Sequence, residues 1–426
     1  MVKDISIKIG LLCFSISFVL FSIEIFLRFT EYRYLIVSYP LPLNYFKLDT
    51  DTGYDIQNNF PPVRVEFRGL TYKVWSNELG CFDKPYRNET DFILLVGDSF
   101  TWGYTPFEYK WGTIIEREFN KRVLKCAVTG YGTKQEGIKI CKVVDKVKRF
   151  PQLIIVGYCI GNDLEDDYLF PHYSIINGYK VTKVDLHDKK TGRKIVYSDS
   201  ELKKRFEIFQ KFGTPEISDK SKIYRTKLWL LHHSILYNFL LKNKLFILAK
   251  GKIKGYFQKE GGGGQANDPP LYLIKPEKYP WIDTAWHDHL VNLKDIKINA
   301  DTVGAKLLVV IIPTKEQVYT CLRPLLLKDV DWDYANKRLS AFFENEKISY
   351  IDLTPLFRDY ANQEPRQHLD SEKDLYWRND NHWNIKGNLL AGLLVSKFIL
   401  GNHMIETSDP DLKIFKINNE LQNMHN

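Results

Sequence analysis

Apolar positions follow three different patterns along the chain. The first is an unbroken run, Ile9 to Leu27, with Lys3 and Lys8 before it, Arg28 after it and Glu24 as its only charge. A helix of that length, rising about 1.5 Å per residue, matches a hydrocarbon core of about 30 Å. A signal peptide would have a shorter apolar core and a small-residue cleavage site. Here the flanks are bulky Phe, Leu and Arg. Residues 1–29 are therefore predicted to be an uncleaved membrane anchor. Glu24 lies about one turn from its end, within reach of the interface. Lys3 and Lys8 are balanced by Arg28 and Arg33, so charge does not set the orientation. A single N-terminal span ahead of a long body usually leaves that body outside the cytoplasm, so a periplasmic or other extracytoplasmic body is expected.

The second pattern, residues 30–90, is rich in Tyr, Pro, Asn and Phe. It carries short alternating stretches, Val63 to Phe67 (VRVEF) and Thr71 to Trp75 (TYKVW). Period-two alternation predicts short strands or an extended wrap.

The third pattern begins at Asp91. Asp91 to Gly97, Leu153 to Cys159 and Lys306 to Ile312 are near-continuous apolar runs. Strands buried on both faces should look like this. Val123 to Val128 and Ser349 to Leu353 are read as two further strands. Between and after them, Trp111 to Asn120, Lys134 to Arg149, Asp288 to Asp301, Tyr334 to Glu346 and Asn384 to Leu400 have helical spacing. Strand–helix alternation of this kind predicts an α/β domain: a five-stranded parallel sheet covered by helices on both faces. That domain spans 91–163 and 281–402. It is interrupted by a long irregular insert or lid, 164–280, and followed by a tail, 403–426. The insert holds an apolar-basic segment, Leu228 to Lys254, and a flexible GGGGQ at Gly261 to Gln265. Packing of the Leu228 segment on the sheet competes with its lying on a membrane surface.

Composition changes this picture little. At 426 residues, 44% hydrophobic and 26% charged, the chain is neither disordered nor polytopic. Lys+Arg 60 against Asp+Glu 52 gives +8, with no basic stripe, so nucleic acid is not an expected partner. Outside the anchor stand Cys81, Cys126, Cys141, Cys159 and Cys321. The number is odd, and Cys126 and Cys159 fall in buried strands. They are read as small apolar core residues; for a body outside the cytoplasm this argues for few or no disulfides, and it leaves a cytoplasmic body as the alternative. His232-His233 and His287-x-His289 lack a third ligand, so no metal and no cofactor is expected.

Parallel sheets place their sites beyond the carboxyl ends of their strands. There the sequence carries Gly97-Asp98-Ser99-Phe100, Thr129-Gly130-Tyr131-Gly132, Gly161-Asn162-Asp163 and Asn379-Asp380-Asn381-His382-Trp383. A hydroxyl, a glycine backbone, a carboxamide, a carboxylate and an imidazole at one rim are what acyl transfer needs.

These four blocks, in this order, resemble the SGNH (GDSL-type) hydrolases. More narrowly, with Ser76 to Tyr86 (SNELGCFDKPY) and Val309 to Tyr319 (VVIIPTKEQVY), they resemble the membrane-anchored branch allied to alginate and peptidoglycan O-acetylation proteins. The resemblance covers about residues 75–160 and 285–400. It implies a flavodoxin-like three-layer sandwich and acyl-ester chemistry. Carried over by position, Ser99 is the nucleophile and His382 the base. The oxyanion donors are the Ser99 and Gly130 N–H groups and the Asn162 amide, with Gly132 a rival to Gly130. Many members place the acid three residues before the histidine, where this chain has Asn379. Asp380, two before, is assigned instead, because residues two apart in an extended segment face the same side. In a turned loop Asn379 would take its place. Asp98 is expected to shape the nucleophile turn and Asp163 to be structural. Trp377 and Trp383 flank the site and are candidates to stack on a sugar.

The function expected is an acyl-ester hydrolase or O-acetyltransferase acting on an envelope glycan or glycolipid, tethered to the membrane and working within a polysaccharide-modification system. A lipase- or thioesterase-like enzyme acting on acyl lipids, and an inactive glycan-binding component, are the competing readings.

Overall fold

The computed structural model describes residues 2–30, 32, 41–212, 226, 229–230, 233–242, 271–274, 276–323, 330–362, 374–377 and 380–424. The chain divides into two compact units, Met1–Tyr39 with Lys204–Ala266, and Pro40–Lys203 with Asn267–Asn426.

In the first unit, α1 (Val2–Arg28) contains Ile7–Arg28, a stretch of mean hydropathy 2.3, long and apolar enough to cross a membrane. Glu24 pairs with Arg28 and also accepts the N–H groups of Ile235 and Leu236 and the Ser234 hydroxyl, at 2.9–3.1 Å. Its carboxylate thus fills the open donors at the start of the helix Ile235–Lys242, the role of an N-cap. Leu27 and Ile235 are buried together beside it. The rest of the apolar-basic segment lies largely outside the described residues, as does Gly261 to Gln265.

The second unit opens with two hairpins, β1 (Phe46–Asp49) with β2 (Gly53–Ile56), and β3 (Val63–Phe67) with β4 (Leu70–Val74). Then come β5 (Phe92–Gly97), a short α2 (Ser99–Trp102), α3 (Trp111–Phe119), β6 (Arg122–Lys125), α4 (Thr133–Val147), β7 (Leu153–Cys159) and α5 (Asp163–Tyr168). Two more hairpins follow, β8 (Tyr173–Ile176) with β9 (Tyr179–Thr182), and β10 (Val184–Asp188) with β11 (Arg193–Val196). The first part of the stretch expected to be irregular, residues 173–196, is therefore built on paired strands. Asn177-Gly178 has φ of +49° and +83°. It makes the two-residue loop that such a dipeptide favours. After these come β12 (Lys306–Ile312) and β13 (Ser349–Asp352).

Strands β6, β5, β7, β12 and β13 form one parallel sheet in that order. Alternate residues of β5 feed opposite cores, as a strand's period of two requires. Phe92, Leu94 and Val96 join α4, Ile282–Thr302 and Tyr334–Asn345 on one face. Ile93 and Leu95 join α3, Leu353–Asn362 and Ile385–Gly401 on the other. The result is the expected three-layer α/β/α sandwich in flavodoxin-like order. The helix Ile282–Thr302 starts six residues earlier than predicted. Ile282, Ala285, Trp286 and His289 extend its buried stripe.

Because β5 has β6 on one side and β7 on the other, strand order reverses between β5 and β7. That reversal point is where sheets of this type open a crevice. The aromatic hairpins β1–β4 pack against the residues just past β5 and β6, including Trp102, Val128 and Tyr131.

One cysteine expectation is corrected. Cys126 is not a plain core residue but is joined to Cys81 in a disulfide with Cα atoms 4.4 Å apart. The two lie 45 positions apart, and no local spacing marks them as a pair. Cys159 is a buried free thiol.

Candidate active site

Gly97 ends β5 with φ +154°, and a Cβ there would fall 2.2 Å from the Thr101 hydroxyl. The chain can therefore turn sharply into α2, and Asp98 caps that helix by accepting the Phe100 N–H at 2.8 Å. The same carboxylate accepts Asn162 Nδ2 at 3.2 Å, and Ser99 Oγ lies 3.4 Å from it. Burial pushes the Asp98 carboxyl up from its ordinary range. It holds the turn that carries Ser99, and the imidazole is bonded to another acid.

That acid is Asp380. His382 Nε2 lies 2.7 Å from Ser99 Oγ, and Nδ1 lies 2.5 Å from Asp380 Oδ1. Burial alone would raise the Asp380 carboxyl. The charge and hydrogen bonds of His382 and the guanidinium of Arg68 together hold it well below the usual carboxylate range. Arg68 Nη2 sits 3.7 Å from Asp380 Oδ2. Lys315, at the start of the short helix Lys315–Val318, donates to the carbonyls of Trp377 and Asp380 and so pins the loop from beneath. Burial lowers its ammonium to about 8. Asn379 lies outside the described residues.

Gly130 adopts φ +77°, which favours glycine. A side chain there would meet Lys180 Nζ, Tyr173 and Tyr54 Oη at 3.1 Å each. Tyr54 donates to the Thr129 and Gly130 carbonyls, and Lys180 to that of Thr129, all at 2.8 Å. Gly132 caps α4, and its N–H is donated to Gln135 Oε1 at 3.2 Å. Asn162 caps α5. Its amide donates to Asp98 and, at 2.7 Å, to Asp166. Asp163 accepts the Cys159 N–H at 2.8 Å, a structural role.

The tryptophans are not available as sugar platforms. Trp383 is 1% exposed, stacked on Phe357 and edge-on to Phe100. Trp377 is 7% exposed and packs against Phe67. Both faced the site in the sequence pattern, but the core takes them. The aromatic ring nearest the imidazole is Tyr104, 4.5 Å from it centroid to centroid. His289 is consumed by Asp167 at 2.6 Å and Tyr158 at 2.9 Å, while His287 is exposed, so the two do not face one ligand.

Arg68, Lys180 and Tyr104 were not singled out in the sequence. They come from hairpins and loops whose approach to the rim no spacing rule predicts. Lys315 lay inside the VVIIPTKEQVY signature without a role.

Among solved structures, the chain is similar to a G-D-S-L family protein from Desulfitobacterium hafniense DCB-2. Identity is 10%, TM-score 0.32, with 72% of this chain and 99% of that one covered. It is also similar to a member of the lipolytic G-D-S-L family from Veillonella parvula DSM 2008, with 12% identity, TM-score 0.31 and 71% and 94% coverage. A third is an aryl esterase of M. smegmatis, with 11% identity, TM-score 0.31 and 73% and 99% coverage. No family model and no curated protein matches the sequence.

Proposed function

We propose that this chain is a serine-dependent acyl-ester enzyme that forms an acyl-enzyme on Ser99. The observation that supports this best is the continuous line Ser99 Oγ, His382, Asp380, with contacts of 2.7 and 2.5 Å. In that line His382 Nε2 takes the Ser99 proton as Oγ attacks the ester carbonyl. The imidazolium is held by Asp380, and its proton passes to the departing alkoxide oxygen. The negative oxygen of the tetrahedral intermediate is received by the Ser99 and Gly130 N–H groups and by Asn162 once it turns from Asp166. A second acceptor then takes the acyl group: water for an esterase, a sugar hydroxyl for an O-acyltransferase.

For the finer identity we favour an acetylated envelope glycan. The span in α1 tethers the body at a membrane, and a Cys81–Cys126 disulfide fits an oxidising compartment outside the cytoplasm. The same span favours acyl lipids as a second reading. The full chain in detergent should hydrolyse 4-nitrophenyl acetate and be labelled by a serine-reactive phosphonate, and Ser99→Ala should lose both. Activity undiminished in Ser99→Ala would overturn the assignment. Preference for octanoyl over acetyl esters would favour the lipid reading.

A further inference from the structure

The β3–β4 hairpin contains a residue that its turn does not favour. Phe67 pairs with Leu70, so the loop is Arg68-Gly69, with φ of +49° and +84°. Two left-handed residues make the loop type that favours Asn-Gly or Asp-Gly, because a longer side chain crowds the backbone there. A sterically disfavoured residue held in place by its surroundings points to a role for that residue.

The Arg68 side chain does not run out into solvent as a hairpin-tip arginine would. It is 9% exposed and reaches Asp380 Oδ2 at 3.7 Å. The other carboxylate oxygen, Oδ1, is the one bonded to His382. The guanidinium therefore faces the oxygen that the imidazole does not use. The neighbouring Phe67 carries the hairpin into the same corner, with Trp377 at 6.1 Å and Tyr104 at 5.2 Å.

We propose that Arg68 is a positioning residue for the Asp380–His382 pair, supplied by a hairpin outside the parallel-sheet domain, so that docking of the β3–β4 hairpin completes the active site. This role rests on the catalytic reading of Ser99, His382 and Asp380. The guanidinium fixes the carboxylate plane and sets the charge around the imidazole. Among the described residues, the other titratable groups beside that pair are Tyr72 from β4, Tyr104 from the loop after α2, Lys315 from the helix Lys315–Val318 and Asp98 from the nucleophile turn, while Glu316 and Asp374 act on Lys315. Among the described residues Arg68 is the cation paired with Oδ2; Lys315 bonds the loop's carbonyls instead.

The test uses the full chain with Arg68→Lys and Arg68→Gln, measured as a pH profile of kcat/KM on 4-nitrophenyl acetate beside wild type and Ser99→Ala. In Arg68→Gln, kcat should fall about 10- to 100-fold with KM little changed, the scale seen when a partner that orients a metal-binding side chain is lost. The acid limb should also move to higher pH, because one positive charge fewer near His382 favours its protonated, inactive form. Arg68→Lys should restore most of the limb position. A wild-type profile in Arg68→Gln would overturn the proposal. So would a loss of rate with the acid limb unmoved and a lowered melting temperature, since that marks a merely structural arginine. If Ser99→Ala retains wild-type activity, the catalytic reading itself fails; if Ser99→Ala is inactive and Arg68→Gln is normal, only the role of Arg68 fails.

Discussion

Asp380 Oδ1 receives His382 twice, from the ring Nδ1 at 2.5 Å and from the backbone N–H at 2.8 Å. The second bond is a side-chain turn closed by the carboxylate on the residue two positions on, a habit of Asp. The loop is bent rather than extended, yet the acid still reaches the ring, so the two-residue spacing works by a different route from strand alternation. Asp380→Asn keeps the shape and removes the charge. It should lower kcat on the order of 10⁴-fold, as when a triad imidazole loses its carboxylate. Phosphonate labelling of Ser99 should slow in parallel while the melting temperature changes little. Near-normal labelling would mean that the orienting acid is another residue.

Asn162 donates to two carboxylates, and one of these bonds must break if it is to serve an oxyanion. Asn162→Ala should cost about 2.7–4 kcal/mol of transition-state stabilisation, read in kcat rather than KM. Single-turnover acylation with 4-nitrophenyl acetate separates the two. A rise in KM alone would reassign Asn162 to substrate binding or to shaping α5.

Lys180 brackets the Gly130 turn from the β9 strand, donating to the Thr129 carbonyl at 2.8 Å. Burial lowers its ammonium from 10.5 to about 7. Between those two values the unfolded chain holds a proton that the folded chain releases. By linkage, stability from this site therefore rises with pH across that window and is lowest below about 7. Lys180→Met should flatten the gain in melting temperature between about pH 7 and 10 and raise stability at about pH 6. It should also slow turnover, because the Thr129 carbonyl loses its support. A melting profile parallel to wild type at every pH would contradict the buried ammonium.

The sheet was legible because its three central strands, β5, β7 and β12, are covered on both faces, so runs such as Ile93 to Val96 and Leu307 to Ile312 are apolar throughout. The blocks holding Ser99, Gly130, Asn162 and His382 stood out because chemistry at strand ends leaves short, polar, glycine-bearing turns. Arg68 and Lys180 did not stand out. Each is one cation in a hairpin, and its relation to the rim depends on tertiary docking that no local pattern records. Asn177-Gly178 did carry its hairpin signal, but the surrounding irregular composition obscured it. Trp377 and Trp383 misled in the opposite direction: nearness in sequence to His382 says nothing about which face of a ring the core claims.

The Cys81–Cys126 bridge ties the loop ahead of the sheet to the end of β6, an edge strand. Asp83, two residues beyond Cys81, accepts the Lys125 N–H at 2.9 Å, so the loop already pairs beside that edge. The bridge closes a loop of 45 residues. Closing it restricts the unfolded chain, and the chain-entropy relation puts the gain at about 4 kcal/mol, with measured disulfides commonly returning about 2–4 kcal/mol. Cys126→Ser should therefore lower the melting temperature by several degrees and abolish its dependence on reductant. Because both cysteines are fully buried, wild type should keep the bridge in mild reductant until denaturant is added. Peptide mapping without reduction should recover Cys81 and Cys126 in one linked species from protein exported to an oxidising compartment. Recovery of both as free thiols from such protein would contradict the bridge and remove its support for an extracytoplasmic body.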